Sequence, residues 1–126
     1  MQRQNRPEKR SGFARIVYAL QYSADGLRAG WSEPAFRQEC ILALVLIPAA
    51  FWLGNGWVER SLLIGSVLMV MTVELINTAV ESAIDRSGTE WHALAKRAKD
   101  MGSAAVLITL LWCTATWADA VITRLL

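Results

Sequence analysis

The fold is decided by the stretch at residues 61–84, which reads SLLIGSVLMVMTVELINTAVESAI. It is long enough to cross the hydrocarbon core of a bilayer, which takes about 20 mainly apolar residues in a helix. Two acidic side chains, Glu74 and Glu81, and one amide side chain, Asn77, interrupt its apolar run. At about 100° per residue, these positions and Asp85 fall along one stripe of a helix. The stretch therefore predicts a membrane-spanning helix with one polar face.

Two more apolar runs flank this helix. Residues 40–58 contain no acidic or basic side chain, and Gly54 to Gly56 within that run are a typical turn signal. Residues 101–118 are likewise uncharged. A composition of 54% hydrophobic and 19% charged residues excludes a disordered chain and favours a bilayer as the solvent. We predict three membrane spans, at about residues 37–58, 61–84 and 101–123.

The N-terminal part of the chain differs from these runs. Residues 1–11 are polar and basic, and we expect a tail there, followed by a single domain over residues 12–126. Apolar residues then recur at helical spacing at Phe13, Ile16, Val17, Leu20, Ala24 and Leu27. A helix over residues 13–30 with arginines and one apolar face suits the membrane surface, and packing of that face against the bundle is the alternative. The predicted fold is an all-α membrane protein with three transmembrane helices and an N-terminal amphipathic surface helix.

The basic residues divide between two regions of the sequence. All 13 lysines and arginines except Arg60 and Arg124 lie either before Gln38 or at residues 86–99. Because cytoplasmic loops carry the excess of basic residues, both regions are predicted to face the cytoplasm, and the N-terminus with them. Nucleic-acid binding would need a basic face on a soluble domain, so we expect no nucleic-acid partner.

The carboxylates within the middle span are the main indication of function. A charge at the centre of a membrane helix costs about 2.5–3.5 kcal/mol on insertion scales, so such residues usually face a bundle interior or a cavity. Aligned carboxylates have two chemical uses there. One can accept a proton from a reacting hydroxyl group. Others can hold Mg²⁺, which takes a few carboxylates together with phosphate oxygens and water. The alternative is a structural role, in which these polar side chains join neighbouring helices by polar contacts.

Residues around the spans supply complementary chemistry. Glu33 and Glu39 lie near the start of the first span, and Lys99 lies at the start of the third, where its ammonium could reach a phosphate. The lone His92 is interpreted as a hydrogen-bonding loop residue more readily than as a metal ligand. Together these groups favour phosphoryl transfer, in which catalysis is largely positioning and charge neutralisation. The sequence has neither a P-loop nor the protein-kinase motifs.

Two motifs carry a resemblance to a known family. Residues 73–81 read VELINTAVE and residues 98–106 read AKDMGSAAV, and shorter matches occur at GFARI (12–16), GLRA (26–29) and AFRQE (35–39). The chain resembles the small integral-membrane diacylglycerol kinases of prokaryotes over roughly residues 12–118. The AKDMGSAA segment is more similar to the diacylglycerol kinase branch of that family than to the undecaprenol kinase branch.

The resemblance implies an activity and an assembly. Members form homotrimers of three-span subunits in the bacterial inner membrane, so a homotrimeric bundle is expected here. They transfer the γ-phosphate of ATP, with Mg²⁺, to the free hydroxyl of diacylglycerol and so form phosphatidic acid in phospholipid turnover. The implied partners of this chain are therefore ATP, a diacylglycerol lipid, the membrane and further copies of itself.

The resemblance also implies roles for individual residues. Glu74 matches the catalytic base, with Asn77 beside it, and Glu33 and Glu81 match metal-binding carboxylates. Positions near the nucleotide are matched by Arg15, Tyr22, Glu33, Glu81, Glu90, His92, Lys99 and Asp100. Positions near the lipid or the transferred phosphate are matched by Arg28, Trp31, Arg37, Gln38, Glu39 and Ser103. Between Trp31 and Phe36 the chain is one residue shorter than the family pattern.

Three other interpretations remain open from the sequence. The chain could be an undecaprenol kinase of the same family. It could be a proton-coupled transporter that uses the carboxylate stripe as a relay and needs no ATP. It could also be a non-catalytic assembly subunit, in which Glu74 and Glu81 stabilise a bundle without supporting any reaction.

Overall fold

The computed structural model describes residues 11–126, and this part of the chain folds into four α-helices. In chain order they are α1 (Phe13–Trp31), α2 (Pro34–Leu53), α3 (Gly56–Asp85) and α4 (Ala93–Leu125). The predicted tail at residues 1–11 lies, except for Ser11, outside the described residues. Helices α2, α3 and α4 are each long and apolar enough to cross a membrane. The predicted fold class, three spans preceded by one further helix, is confirmed.

The helix ends differ from the predicted span limits. Helix α2 begins at Pro34, where the fixed φ of proline suits the first helical position, and ends at Leu53. The last residues of the predicted first span, 54–58, instead form the turn and the start of α3. Helix α4 begins at Ala93, eight residues before the predicted span, because charged side chains end the apolar run but do not end a helix.

The turn between α2 and α3 is built from glycine and one acidic side chain. Gly56 has a φ of 81°, which a residue with a Cβ rarely adopts. The backbone N–H of Asn55 donates to Glu59 Oε2 at 2.7 Å, and Arg60 Nε donates to the Gly54 carbonyl at 3.2 Å. These bonds satisfy backbone groups that the helix ends leave open. The turn predicted from Gly54 to Gly56 is confirmed.

Helix α3 is the centre of the fold, because both α2 and α4 pack along it. At the turn end the core is apolar and consists of Ala50, Leu53 and Leu63, with Trp117 packed against it. The indole Nε1 of Trp117 donates to the Leu63 carbonyl at 3.2 Å, which ties α4 to α3. Farther along, Ser66 Oγ donates to the Leu63 carbonyl at 2.8 Å and lies 3.4 Å from Cys113 Sγ.

Helix α1 attaches to the bundle at its C-terminal end. Its one buried residue is Gly30, where an added Cβ would lie 2.5 Å from a Leu75 methyl and 3.0 Å from the Phe36 ring. The apolar face at Phe13 and Leu20 stays exposed within the single chain. Within the single chain this face does not pack against the bundle, and the place of α1 at the membrane surface stays a prediction.

We expect Leu63→Ala to lower the free energy of unfolding by about 2 kcal/mol or more, because a void inside a close-packed interface loses its contacts. Leu63 is 1% exposed, whereas the neighbouring Leu62 is 49% exposed, so Leu62→Ala is the matched control. Reversible unfolding in mixed detergent micelles measures both variants. Equal losses for the two would contradict the assignment of Leu63 to the core between α2, α3 and α4.

Candidate active site

The polar stripe of α3 faces the bundle interior. Glu74 and Asn77 are each 9% exposed and lie on the same buried face as Ser66 and Val70. Glu81, one turn beyond Asn77, is half-buried. Spacings of three and four residues bring side chains together on one helix face. The predicted stripe is therefore present, and it points toward the neighbouring helices.

The side chain of Asn77 contacts both Glu81 on the same helix and α4. Its Nδ2 donates to Glu81 Oε1 at 3.4 Å. Its Oδ1 is buried and has no hydrogen-bond partner, and it faces Gly102 of α4. A buried amide oxygen without a partner is costly in an apolar surrounding, so its position calls for a reason.

The start of α2 adds two carboxylates to those of α3. The charges of Glu33 and Glu81 lie within electrostatic range of Glu74, and Glu74 lies within range of Glu39. We call Glu33, Glu39, Glu74 and Glu81 the acidic cluster. Glu39 Oε2 is buried without a hydrogen-bond partner. Periodicity along α3 predicts two members of this cluster, but only the packing of α2 on α3 brings Glu39 to Glu74.

The acidic cluster has no ion-pair partner in the part of the chain that the structure describes. The ion pairs there join Arg28 to Asp25, Lys96 to Asp100 and Lys99 to Asp85. Four carboxylates that repel one another attract a cation. No three acidic, histidine or cysteine side chains among residues 11–126 are arranged to hold a metal by themselves. The cluster thus fits Mg²⁺ that takes one or two carboxylates and completes its shell with phosphate oxygens and water.

An open cavity lies between the end of α3 and the start of α4, beyond the Glu81 end of the stripe. It encloses about 1350 Å³. Four of the predicted nucleotide residues line it, namely Glu90, His92, Lys99 and Asp100. His92 caps α4, because its Nδ1 accepts a hydrogen bond from the Leu94 backbone N–H at 3.1 Å. This contact agrees with the interpretation of His92 as a hydrogen-bonding loop residue.

Two lysines of the cavity are held by aspartates. Lys99 Nζ donates to Asp85 Oδ1 at 2.6 Å, and Lys96 Nζ donates to Asp100 Oδ2 at 2.5 Å. Both pairs are exposed to solvent, so they contribute little stability and can exchange partners. Asp85 is a cavity residue that we did not predict as a site residue. Its place on the α3 stripe, four residues after Glu81, was the signal that could have identified it.

The cavity and the acidic cluster lie within electrostatic range of each other. Lys99 is within electrostatic range of Glu81, and Glu81 is within range of Glu74. Charged groups that suit a phosphate therefore lie at one end of the stripe that carries the buried carboxylate of Glu74. Such an arrangement suits a reaction between a polar phosphate compound and a partner that reaches the site from the membrane.

The remaining predicted residues lie outside the cavity lining. Arg15 and Tyr22 are exposed on α1, and Arg28 pairs with Asp25 on the same helix at 3.5 Å. Exposed side chains near the junction of α1 and α2 and on α4 account for the rest of the predicted lipid positions, namely Trp31, Arg37, Gln38 and Ser103. The single chain does not bring these residues into the cavity, and their roles stay predictions.

Comparison with known proteins bears directly on this region. The family model for prokaryotic diacylglycerol kinase matches residues 21–121, which include α2, α3 and most of α4. The diacylglycerol kinase of Escherichia coli (strain K12) is 51% identical over 108 residues, which cover 85% of this chain and 88% of that protein.

Two more relatives give the same result. The diacylglycerol kinase of Haemophilus influenzae is 47% identical over 110 residues, or 86% of this chain and 93% of that protein. That of Pseudomonas aeruginosa is 47% identical over 109 residues, or 86% of this chain and 89% of that protein. The resemblance seen in the VELINTAVE and AKDMGSAAV motifs is confirmed, and the chain belongs to the prokaryotic diacylglycerol kinase family.

Proposed function

We propose that this chain is a lipid kinase that transfers the γ-phosphoryl group of ATP to the free hydroxyl of diacylglycerol, forming phosphatidic acid in phospholipid turnover. The observation that carries the proposal is the burial of Glu74 on a stripe of α3 that leads through Glu81 toward an open, charged cavity. A diacylglycerol hydroxyl lies at the membrane interface, whereas ATP is soluble in water. The site needs access from the membrane and from water. A stripe that runs from a carboxylate between apolar helices toward a solvent cavity provides both.

The nucleotide would occupy the cavity at the start of α4. This open cavity, with a volume of about 1350 Å³, leaves room for ATP. Lys99 is the strongest candidate to contact a phosphate, because its partner Asp85 is exposed and can be released. Glu90, His92 and Asp100 would complete this side of the site, with Arg15 and Tyr22 contributed by α1.

Glu74 would act as the general base. The hydroxyl oxygen of the lipid attacks the γ-phosphorus as the bond from that phosphorus to the bridging oxygen of ADP breaks. The hydroxyl proton passes to a Glu74 carboxylate oxygen, and ADP leaves. Asn77 lies one turn from Glu74 and would hold the polar groups of α3 in place. Its hydrogen bond to Glu81 supports this role.

Glu81 and Glu33 are the proposed metal ligands. Mg²⁺ bound there with phosphate oxygens would neutralise charge that develops on the transferred group. The support is electrostatic, because both carboxylates lie within range of Glu74 and neither forms an ion pair in the described chain. Glu39, which is half-buried and within electrostatic range of Glu74, would keep the end of the site that receives the lipid hydroxyl polar.

The lipid would approach along α1 and the start of α2. Helix α1 exposes an apolar face suited to the bilayer surface, and its C-terminal end packs against Phe36 at Gly30. Lipid head-group contacts are proposed for residues near this junction and for one serine on α4, namely Arg28, Trp31, Arg37, Gln38 and Ser103.

We further propose a homotrimer in the bacterial inner membrane with a cytoplasmic N-terminus. Helix α4 has 33 residues and none of them is buried in the single chain. Its apolar side chains are therefore open to lipid or to other copies, which is compatible with an assembly that also covers the acidic cluster. The concentration of basic residues before Gln38 and around α4's start supports the cytoplasmic side.

The proposal is tested by a radiolabelled-phosphate assay of the purified chain in mixed micelles with MgATP. We expect label in phosphatidic acid when diacylglycerol is supplied, and much less label in lipid when undecaprenol is supplied. Glu74→Gln should lower the rate about 10²–10⁴-fold, the range for loss of a general base, with folding retained. Near-normal phosphorylation by this variant would show that Glu74 is not the general base.

Asp119→Asn is the matched control for Glu74→Gln. This substitution also removes one carboxylate charge, but Asp119 is exposed near the other end of the bundle. We expect its rate to equal that of the unmodified chain. Proton flux that needs no ATP and depends on Glu74 would instead favour the transporter interpretation.

Lys99→Met should raise the KM for ATP about tenfold or more, because a charge-assisted contact with phosphate is lost. Thermal unfolding should change little, since the Lys99–Asp85 pair is exposed. The control is Arg97→Met, which removes an equal charge from an exposed position outside the cavity lining. Similar KM values for the two variants would show that Lys99 does not contact the nucleotide.

Membrane orientation is measurable with single cysteines in a background where Cys40 and Cys113 are replaced by alanine. We expect Ser87→Cys to react with an impermeant maleimide only from the cytoplasmic side. Asn55→Cys should react only from the opposite side, because the turn between α2 and α3 is one crossing away. Labelling of both from the same side would contradict the proposed topology.

A further inference from the structure

Helices α3 and α4 approach closely where Gly102 faces Asn77. An added Cβ at Gly102 would overlap Asn77 Oδ1 and lie 3.2 Å from Asn77 Cγ. A glycine is not required here for its backbone conformation, since Gly102 is in the middle of a regular helix without a positive φ. A glycine is required here because the space that a side chain would need is filled by the end of the Asn77 side chain.

That side chain has two ends in different surroundings. The Asn77 oxygen is buried against Gly102 with no hydrogen-bond partner, while Nδ2 donates to Glu81 Oε1. An amide group is planar, so a rotation that moves the oxygen also moves the nitrogen. Anything that displaces Oδ1 from Gly102 therefore weakens or breaks the bond to Glu81.

We infer that Gly102 is a positioning residue of the phosphoryl-transfer site. By lacking a side chain it leaves room for Oδ1 and so orients the Asn77 amide with its Nδ2 toward Glu81. The carboxylate of Glu81 is thereby held in one orientation within the acidic cluster. The inference rests on the proposed function, in which Glu81 holds the metal that accompanies ATP.

The other glycines of the helices show why this position differs. At Gly30 an added Cβ would meet the apolar side chains of Leu75 and Phe36, so a substitution there disturbs packing. At Gly65 an added Cβ would meet nothing within 4 Å. At Gly102 the obstacle is the far end of a rotatable polar side chain, so the helices can stay in place and the amide turns instead.

The test is Gly102→Ala in the full chain, with Gly65→Ala as the matched control. We expect Gly102→Ala to raise the KM for MgATP about tenfold and to change kcat less, as loss of a hydrogen bond to a charged group implies. Electron paramagnetic resonance of Mn²⁺ with the non-hydrolysable β,γ-imido analogue of ATP should show a similar loss of Mn²⁺ affinity. Gly65→Ala should match the unmodified chain in both measurements.

A double variant separates positioning from packing. If Gly102 acts through Asn77, then Gly102→Ala should add nothing to the effect of Asn77→Ala, because the amide is already gone. Unchanged Mn²⁺ affinity in Gly102→Ala, or a full additional loss in the double variant, overturns the inference. Failure of Gly102→Ala to fold, whether or not Asn77→Ala restores folding, also overturns it, since the contact then governs packing.

The same experiment distinguishes a failure of the proposed function. If Asn77→Ala and Glu81→Gln both retain lipid phosphorylation and Mn²⁺ affinity, the acidic cluster is not the metal site, whatever Gly102→Ala does. If those two variants lose both properties and Gly102→Ala loses neither, the proposed function stands and only the role of Gly102 is wrong.

Discussion

A carboxylate inside an apolar span must face something other than lipid, and the rest of this structure depends on how α3 meets that constraint. An unpaired charge at mid-membrane costs about 2.5–3.5 kcal/mol on insertion scales. Helix α3 turns Glu74 and Asn77 inward on the face that continues from Ser66 and Val70. The helix that holds the bundle together therefore also carries the buried carboxylate, and α2 and α4 add the charged groups around it.

The two ends of α3 serve different purposes. Near the turn, apolar contacts of Leu63 and the bond from Trp117 join α2, α3 and α4. Toward its other end the same face becomes polar, and it leads from Glu74 through Glu81 to the solvent cavity. With 30 residues, α3 is about 45 Å long, more than the hydrocarbon thickness, so its last turns extend into water. A lipid hydroxyl and a water-soluble nucleotide can meet only near such a boundary.

The polar contacts of this region differ in strength. The Lys99–Asp85 pair is short but exposed, so solvent screens it and it contributes little stability. The Asn77–Glu81 contact is longer, at 3.4 Å, but Asn77 is buried and its amide oxygen has no alternative partner. The exposed ion pair and the buried amide contact therefore have different effects. The exposed pairs are free to respond to a ligand, while the buried amide limits how the carboxylate beside it is oriented.

The sequence by itself determined the three spans, the inward stripe of Glu74, Asn77 and Glu81, and the family. The spans and the stripe follow from composition and from the 3.6-residue period, which are properties of each helix alone, whereas the family follows from the resemblance of the VELINTAVE and AKDMGSAAV motifs. Only the tertiary structure decided that Glu39 lies near Glu74, that Asp85 holds Lys99 and that Gly102 faces Asn77. Helix ends at Leu53 and Ala93 also escaped prediction. Periodicity tells which side of a helix is buried, but the residue that meets it depends on how two helices are paired and shifted along their axes.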